Sequence, residues 1–100
     1  MAAARHRFVH MHTSDLDADQ MITGAQTRAA RALLGWSRAE LAERSSLSHS
    51  SIQRVEAIDG ISSMRADNLF RLQRAFERAG IIFLGPGENR SGGAGVRLRR

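Results

Sequence analysis

The sequence predicts an all-α domain of four helices that ends in a short C-terminal β-hairpin or strand pair. Three observations carry this reading. Capping residues recur just ahead of segments with helical hydrophobic spacing, at Thr23-x-x-Gln26, Ser37-x-x-Glu40 and Ser48. A longer helical pattern follows Asp59-Gly60, with Leu69, Leu72, Phe76 and Ala79 on one face. After Gly80 the period changes, because Ile81-Ile82-Phe83-Leu84 is a β-prone run and Val96 and Leu98 alternate with Arg97 and Arg99.

Taken in order, Thr23-x-x-Gln26 opens a first helix whose inner face reads as Ala29, Ala32, Leu33 and Trp36, with Gly35 as its left-handed terminator. Ser37-x-x-Glu40 opens a short second helix with Leu41, Ala42 and Ser45 inward. A polar break at Ser45-Ser46 leads through Leu47 to Ser48, the N-cap of a third helix from about His49 to Ala57 that buries Ile52 and Val55. The fourth helix has two candidate caps, Ser63 and Asp67, and stops at Gly80. Gly85-Pro86-Gly87 halts the first β run, and a Gly/Ser-rich loop through Ala94 separates it from the second. Two strands alone are marginal in water, so they must pack on the fourth helix or pair with another chain. The run containing Phe83 and Leu84 is therefore the candidate dimerisation element.

One hundred residues allow one small domain, and 42% hydrophobic residues suffice for its core. Residues 1–20 have no apolar period and change from basic to acidic at Asp15, Asp17 and Asp19, which reads as a disordered leader. Residues 21–80 form the helical domain and residues 81–100 a basic, β-prone tail. The absence of Cys excludes disulfides, thiolate zinc sites and cysteine nucleophiles. No apolar run is long enough for a membrane helix or a signal peptide, so the expectation is a cytoplasmic chain with no membrane partner. Fifteen basic residues, every one Arg, stand against ten acidic ones, for a net charge of +5. Two explanations for the lack of Lys stand open, the bidentate contacts that Arg makes to phosphate or guanine and a GC-rich coding sequence. The second does not account for the excess of positive charge. From residue 21 onward 13 Arg face seven acidic side chains, a net of +6, so the folded part carries the basic character. That balance points to a polyanionic partner.

Two short capped helices joined by about three residues form a helix-turn-helix arrangement. The residues Arg28-x-x-Arg31-x-x-x-Gly35-Trp36-Ser37-Arg38-Ala39-Glu40-Leu41-Ala42, continued by Ile52-Gln53-Arg54-Val55-Glu56, resemble the XRE family of bacterial and phage regulators, the Cro and lambda-repressor type. The resemblance spans roughly residues 22–80. It implies a Cro/lambda-repressor-like fold that binds double-stranded DNA through the second helix of the motif. It also implies sequence-specific transcriptional regulation, most simply as a repressor acting as a homodimer. By resemblance the base readers are His49, Ser50 and Arg54. The backbone contacts would come from Arg38, Ser48, Ser51, Gln53 and Arg28. Arg31 and Glu56 match a pair that bridges the first helix and the recognition helix. The helix wheel agrees: with Ile52 and Val55 inward, His49, Ser50, Gln53 and Arg54 cover the remaining surface, and none is acidic.

The sequence departs from the family pattern in places. Ser46 stands where Gly is usual, Ser45 is more polar than its usual counterpart, Arg38 replaces a frequent Gln, and residues 57–60 form a longer turn. Arg71, Arg74 and Arg78 make a stripe opposite the apolar face of the fourth helix. His6, His10 and His12 fall in the leader, where no rigid scaffold for a metal is expected. Ser48, His49 and Glu56 lie along one short helix with no pocket, so no enzyme, cofactor or metal is expected. The same family includes antitoxins, which gives a second reading: autoregulation of an operon together with binding of a protein toxin. A third is a pure protein-interaction module with a degenerate motif.

Overall fold

The computed structural model describes residues 21–88 and 91–99. The leader, with His6, His10 and His12, lies outside the described residues, as does Arg100. Four helices, α1 (Gly24–Leu34), α2 (Arg38–Ser45), α3 (His49–Glu56) and α4 (Ala66–Arg78), precede strands β1 (Ile81–Leu84) and β2 (Gly95–Leu98). The strands pair antiparallel, with Ile81 opposite Leu98 and Leu84 opposite Gly95, so the tail is a hairpin within the chain.

The core is built where helical spacing places it. Leu41 from α2, Ile52 and Val55 from α3, and Leu69, Leu72 and Phe76 from α4 meet Ile22, Ala30 and Ile81. Period-two alternation divides the hairpin into two faces. Ile81, Phe83, Val96 and Leu98 pack on the core, which leaves Ile82, Leu84 and Arg97 on the other face. Phe83 meets Phe76 edge-on at 5.8 Å, and Phe76 stacks on Trp36 at 5.8 Å. Phe83 thus belongs to the core, and of the pair expected to mediate dimerisation only Leu84 faces away from it.

The inner face of α1 differs from the sequence reading. Gln26, Thr27 and Ala30 are buried, whereas Ala29, Ala32 and Leu33 are exposed. The helix is rotated from the position that hydropathy suggests because its buried polar groups are satisfied. Thr27 Oγ1 donates to the Thr23 carbonyl at 2.9 Å. Gln26 is held from both ends: its Oε1 accepts from Thr23 N at 3.0 Å, completing the capping box. Its Nε2 donates to the carbonyls of Leu84 at 3.2 Å and Gly95 at 2.9 Å. A residue recognised from sequence as a helix cap therefore also ties the hairpin to α1. Gln26→Glu keeps the cap but replaces the donor with a carboxylate facing two carbonyls. It is expected to loosen the hairpin by about 1–3 kcal/mol, read as faster amide exchange in β1 and β2 than in α3, with partial recovery in acid as the new carboxyl regains a proton to donate.

Neither Ser63 nor Asp67 caps α4. Arg65 holds the N-cap position with no side-chain bond, and Asp67 sits in the first turn, where it favours the helix dipole and pairs with Arg65 at 3.1 Å. The α2 box is half formed, because Ser37 accepts from Glu40 N while the Glu40 carboxylate takes Arg44 at 2.7 Å. Among the described residues no helix is long and apolar enough to cross a membrane.

Candidate nucleic-acid interface

The α2–α3 turn is set by one backbone conformation. Ser46 adopts φ 60° and ψ 33°, the left-handed geometry that Gly usually supplies, at a cost of about 1 kcal/mol. Its neighbour Ser45 is buried, and its hydroxyl donates to the Leu41 carbonyl at 2.8 Å. The polarity of Ser45 is thereby absorbed inside α2. Ser48 then starts α3 by accepting from Ser51 N at 3.1 Å, and its Oγ lies 2.9 Å from the Ser51 hydroxyl and 3.2 Å from that of Ser50. The three hydroxyls form one cluster at the helix N-terminus.

Ile52 and Val55 fix the roll of α3 by pointing into the core. His49, Ser50, Gln53 and Arg54 are exposed, and Ser51 is half-buried. The exposed side of α3 therefore carries donors, acceptors and one guanidinium but no carboxylate. Its one acid, Glu56, is turned inward, its side chain fully buried.

Glu56 is the hub of the interface's support. Arg31 from α1 grips it through two bonds, Nε to Oε2 at 2.8 Å and Nη2 to Oε1 at 3.0 Å, and also donates to the Trp36 carbonyl at 3.1 Å. Arg38, the first residue of α2, donates from Nε to Oε1 at 3.1 Å. Burial pushes the Glu56 carboxyl up, but the hydrogen bonds and charges of the two guanidinium groups outweigh this and hold it below its ordinary value. The hydrogen bond to Glu56 correspondingly raises Arg31. Glu56 thus locks three helices together with its own carboxylate charged, and it is unsuited to serve any hydroxyl of α3 as a base.

Arg28 lies at the same, C-terminal end of α3. Its Nη1 donates to the Glu56 carbonyl at 2.6 Å and the Ile58 carbonyl at 3.4 Å, and its Nη2 pairs with the Asp59 carboxylate. It neutralises carbonyls exposed at the helix end, as a cation does at a helix C-terminus. The longer 57–60 turn is used by the fold: Gly24 N donates to Gly60 O at 2.9 Å and Ala25 N to Asp59 O at 3.2 Å. The start of α1 is seated on the loop that follows α3. Of the residues expected near DNA, the structure brings His49, Ser50, Gln53 and Arg54 onto one exposed side, with Ser48 and Ser51 at its leading end. It draws Arg28 and Arg38 into contacts with other helices. Neither of those contacts was visible in sequence, because each joins residues at least 18 positions apart with no periodic relation. The exposed stripe Arg71, Arg74 and Arg78 lies on α4, with Arg74 5.8 Å over the half-exposed Phe70 ring.

Two short helices meeting across a left-handed turn, the second anchored by apolar side chains and offering an acid-free polar side, define a helix-turn-helix DNA-binding domain. The helix-turn-helix family model matches residues 28–79, from the middle of α1 to the end of α4. The chain belongs to this family, in its XRE branch. No curated protein matches it.

Proposed function

We propose that the chain is a sequence-specific transcriptional regulator that represses by occupying duplex DNA as a two-fold dimer. The observation that carries this reading is the exposed side of α3. In the proposed complex its N-terminal part enters the major groove, and His49, Ser50 and Arg54 reach base edges. Arg54 makes a bidentate contact to a guanine, a pairing that the fork geometry of arginine favours. Ser48, Ser51 and Gln53 lie nearer the backbone, together with Arg38, while Arg28 acts through the loop it braces. A domain of this size reaches few phosphates, so two copies reading half-sites roughly 34 Å apart supply the affinity that one lacks. The outer face of the hairpin, with Ile82 and Leu84, supports a dimer contact there.

Selection of bound fragments from a random duplex library, followed by footprinting, tests this reading. The expected product is a palindromic site with half-sites one helical turn apart. On the selected site Arg54→Ala should lose about 1–3 kcal/mol more than on random duplex, and the loss should centre on one base pair. An equal loss on both would reduce Arg54 to a phosphate contact. Failure to retain any duplex at low salt would remove the function altogether.

A further inference from the structure

The Arg31–Glu56–Arg38 cluster contains two positive charges and one negative. Glu56 gives its fully buried carboxylate to Arg31 through two bonds, and Arg31 is itself only 22% exposed. That pair is internally neutral. Arg38 joins it through a single bond from Nε, and its side chain remains 43% exposed. A guanidinium is planar and carries five N–H groups. With the Nε edge turned to Glu56, the opposite edge, formed by the two terminal nitrogens, faces away from the carboxylate. Among the described residues no acceptor meets that edge. The cluster therefore leaves one net positive charge, held at a fixed orientation on the surface where α2 begins, beside the end of α3.

We propose that Glu56 is a positioning residue for DNA binding, which holds Arg38 by Nε so that its outward edge clasps one backbone phosphate. The inference rests on the duplex-binding reading and adds to it a role for the buried acid. The phosphate completes the charge balance that Glu56 leaves open, and the tether removes side-chain freedom that an untethered Arg would lose on binding. A Gln at this position could not do both, because its neutral amide leaves no surplus charge.

The test is duplex affinity against salt concentration for the full chain and for Arg38→Gln, Arg38→Lys and Glu56→Gln, each first shown to be folded by circular dichroism. The wild-type measurement tests the duplex-binding reading by itself. Given binding, Arg38→Gln should flatten the log–log salt slope by about 0.9, the value of one phosphate. Glu56→Gln makes the protein more positive by one charge. Without positioning, it would bind duplex more tightly. With positioning, it binds several-fold more weakly, on cognate and random duplex alike, and the slope falls as it does for Arg38→Gln. Arg38→Lys keeps the charge but has one ammonium for two partners, so it too should bind several-fold more weakly, and it decides the matter if Glu56→Gln does not fold. Wild-type affinity and slope in Arg38→Lys, or tighter binding by folded Glu56→Gln, would overturn the proposal.

Discussion

Glu56→Gln is expected to destabilise the domain by about 3–5 kcal/mol, because it removes the carboxylate and leaves Arg31 enclosed without a counter-charge. Gln offers one carbonyl oxygen where the carboxylate accepts three N–H donors from two guanidinium groups. The effect has a pH signature whose sign follows from the lowered carboxyl. Folding favours the ionised form of Glu56, so its contribution is fully present above the unfolded value, about 4.3 for Glu. It is lost as pH falls through the lower folded value. The stability gap between wild type and variant, measured by urea unfolding, should be constant near neutrality and narrow below roughly pH 4. A gap that stayed the same from pH 7 to pH 3 would show that the carboxylate charge contributes nothing.

Gly24→Ala should be nearly as damaging for a different reason. A Cβ built on Gly24 falls 1.9 Å from the Ile58 carbonyl oxygen and 2.4 Å from that of Val55. Both are backbone atoms, so no side-chain rotation relieves the overlap. The first turn of α1 must withdraw from the end of α3, which gives up the bonds from Gly24 N and Ala25 N to the 57–60 turn. We expect a loss of about 3 kcal/mol, at the upper end for overpacking. For a domain of this size that lowers Tm by roughly 12 °C or more. Gly60→Ala is the matched control: it lies in the same contact, but its added methyl meets no atom within 4 Å. It should stay within about 0.5 kcal/mol of wild type, and equal melting temperatures for the two variants would refute the steric account.

Much of the architecture was legible because the signals for it are local. Thr23, Ser37 and Ser48 each start a helix by bonding a backbone N–H three residues on, and a spacing of three is visible in a string of letters. The Ile52 and Val55 anchors were legible for the same reason, and with them the exposed side of α3. The Arg31–Glu56 pair was reached only through the family resemblance. The roll of α1 was not legible, since Gln26 and Thr27 are buried on the strength of bonds to Thr23, Leu84 and Gly95, while Leu33 stays 46% exposed. Hydropathy has no access to a polar group whose partners lie 58 and 69 residues away. Arg28 and Arg38 were read as backbone contacts through the family resemblance, and their intramolecular bonds emerged only once the helices were assembled. The start of α4 escaped because Arg65 caps it without a side-chain signal.

Trp36 is the chain's single tryptophan. Its indole lies between the Arg44 guanidinium, 4.6 Å from the ring centroid, and the Phe76 ring. Its ultraviolet emission is therefore a built-in gauge of whether the α1–α2 junction, α4 and, through Phe83, the hairpin remain assembled. Titrations with unlabelled oligonucleotides and denaturants can be followed on the unaltered polypeptide, with no dye attached near the surface under study.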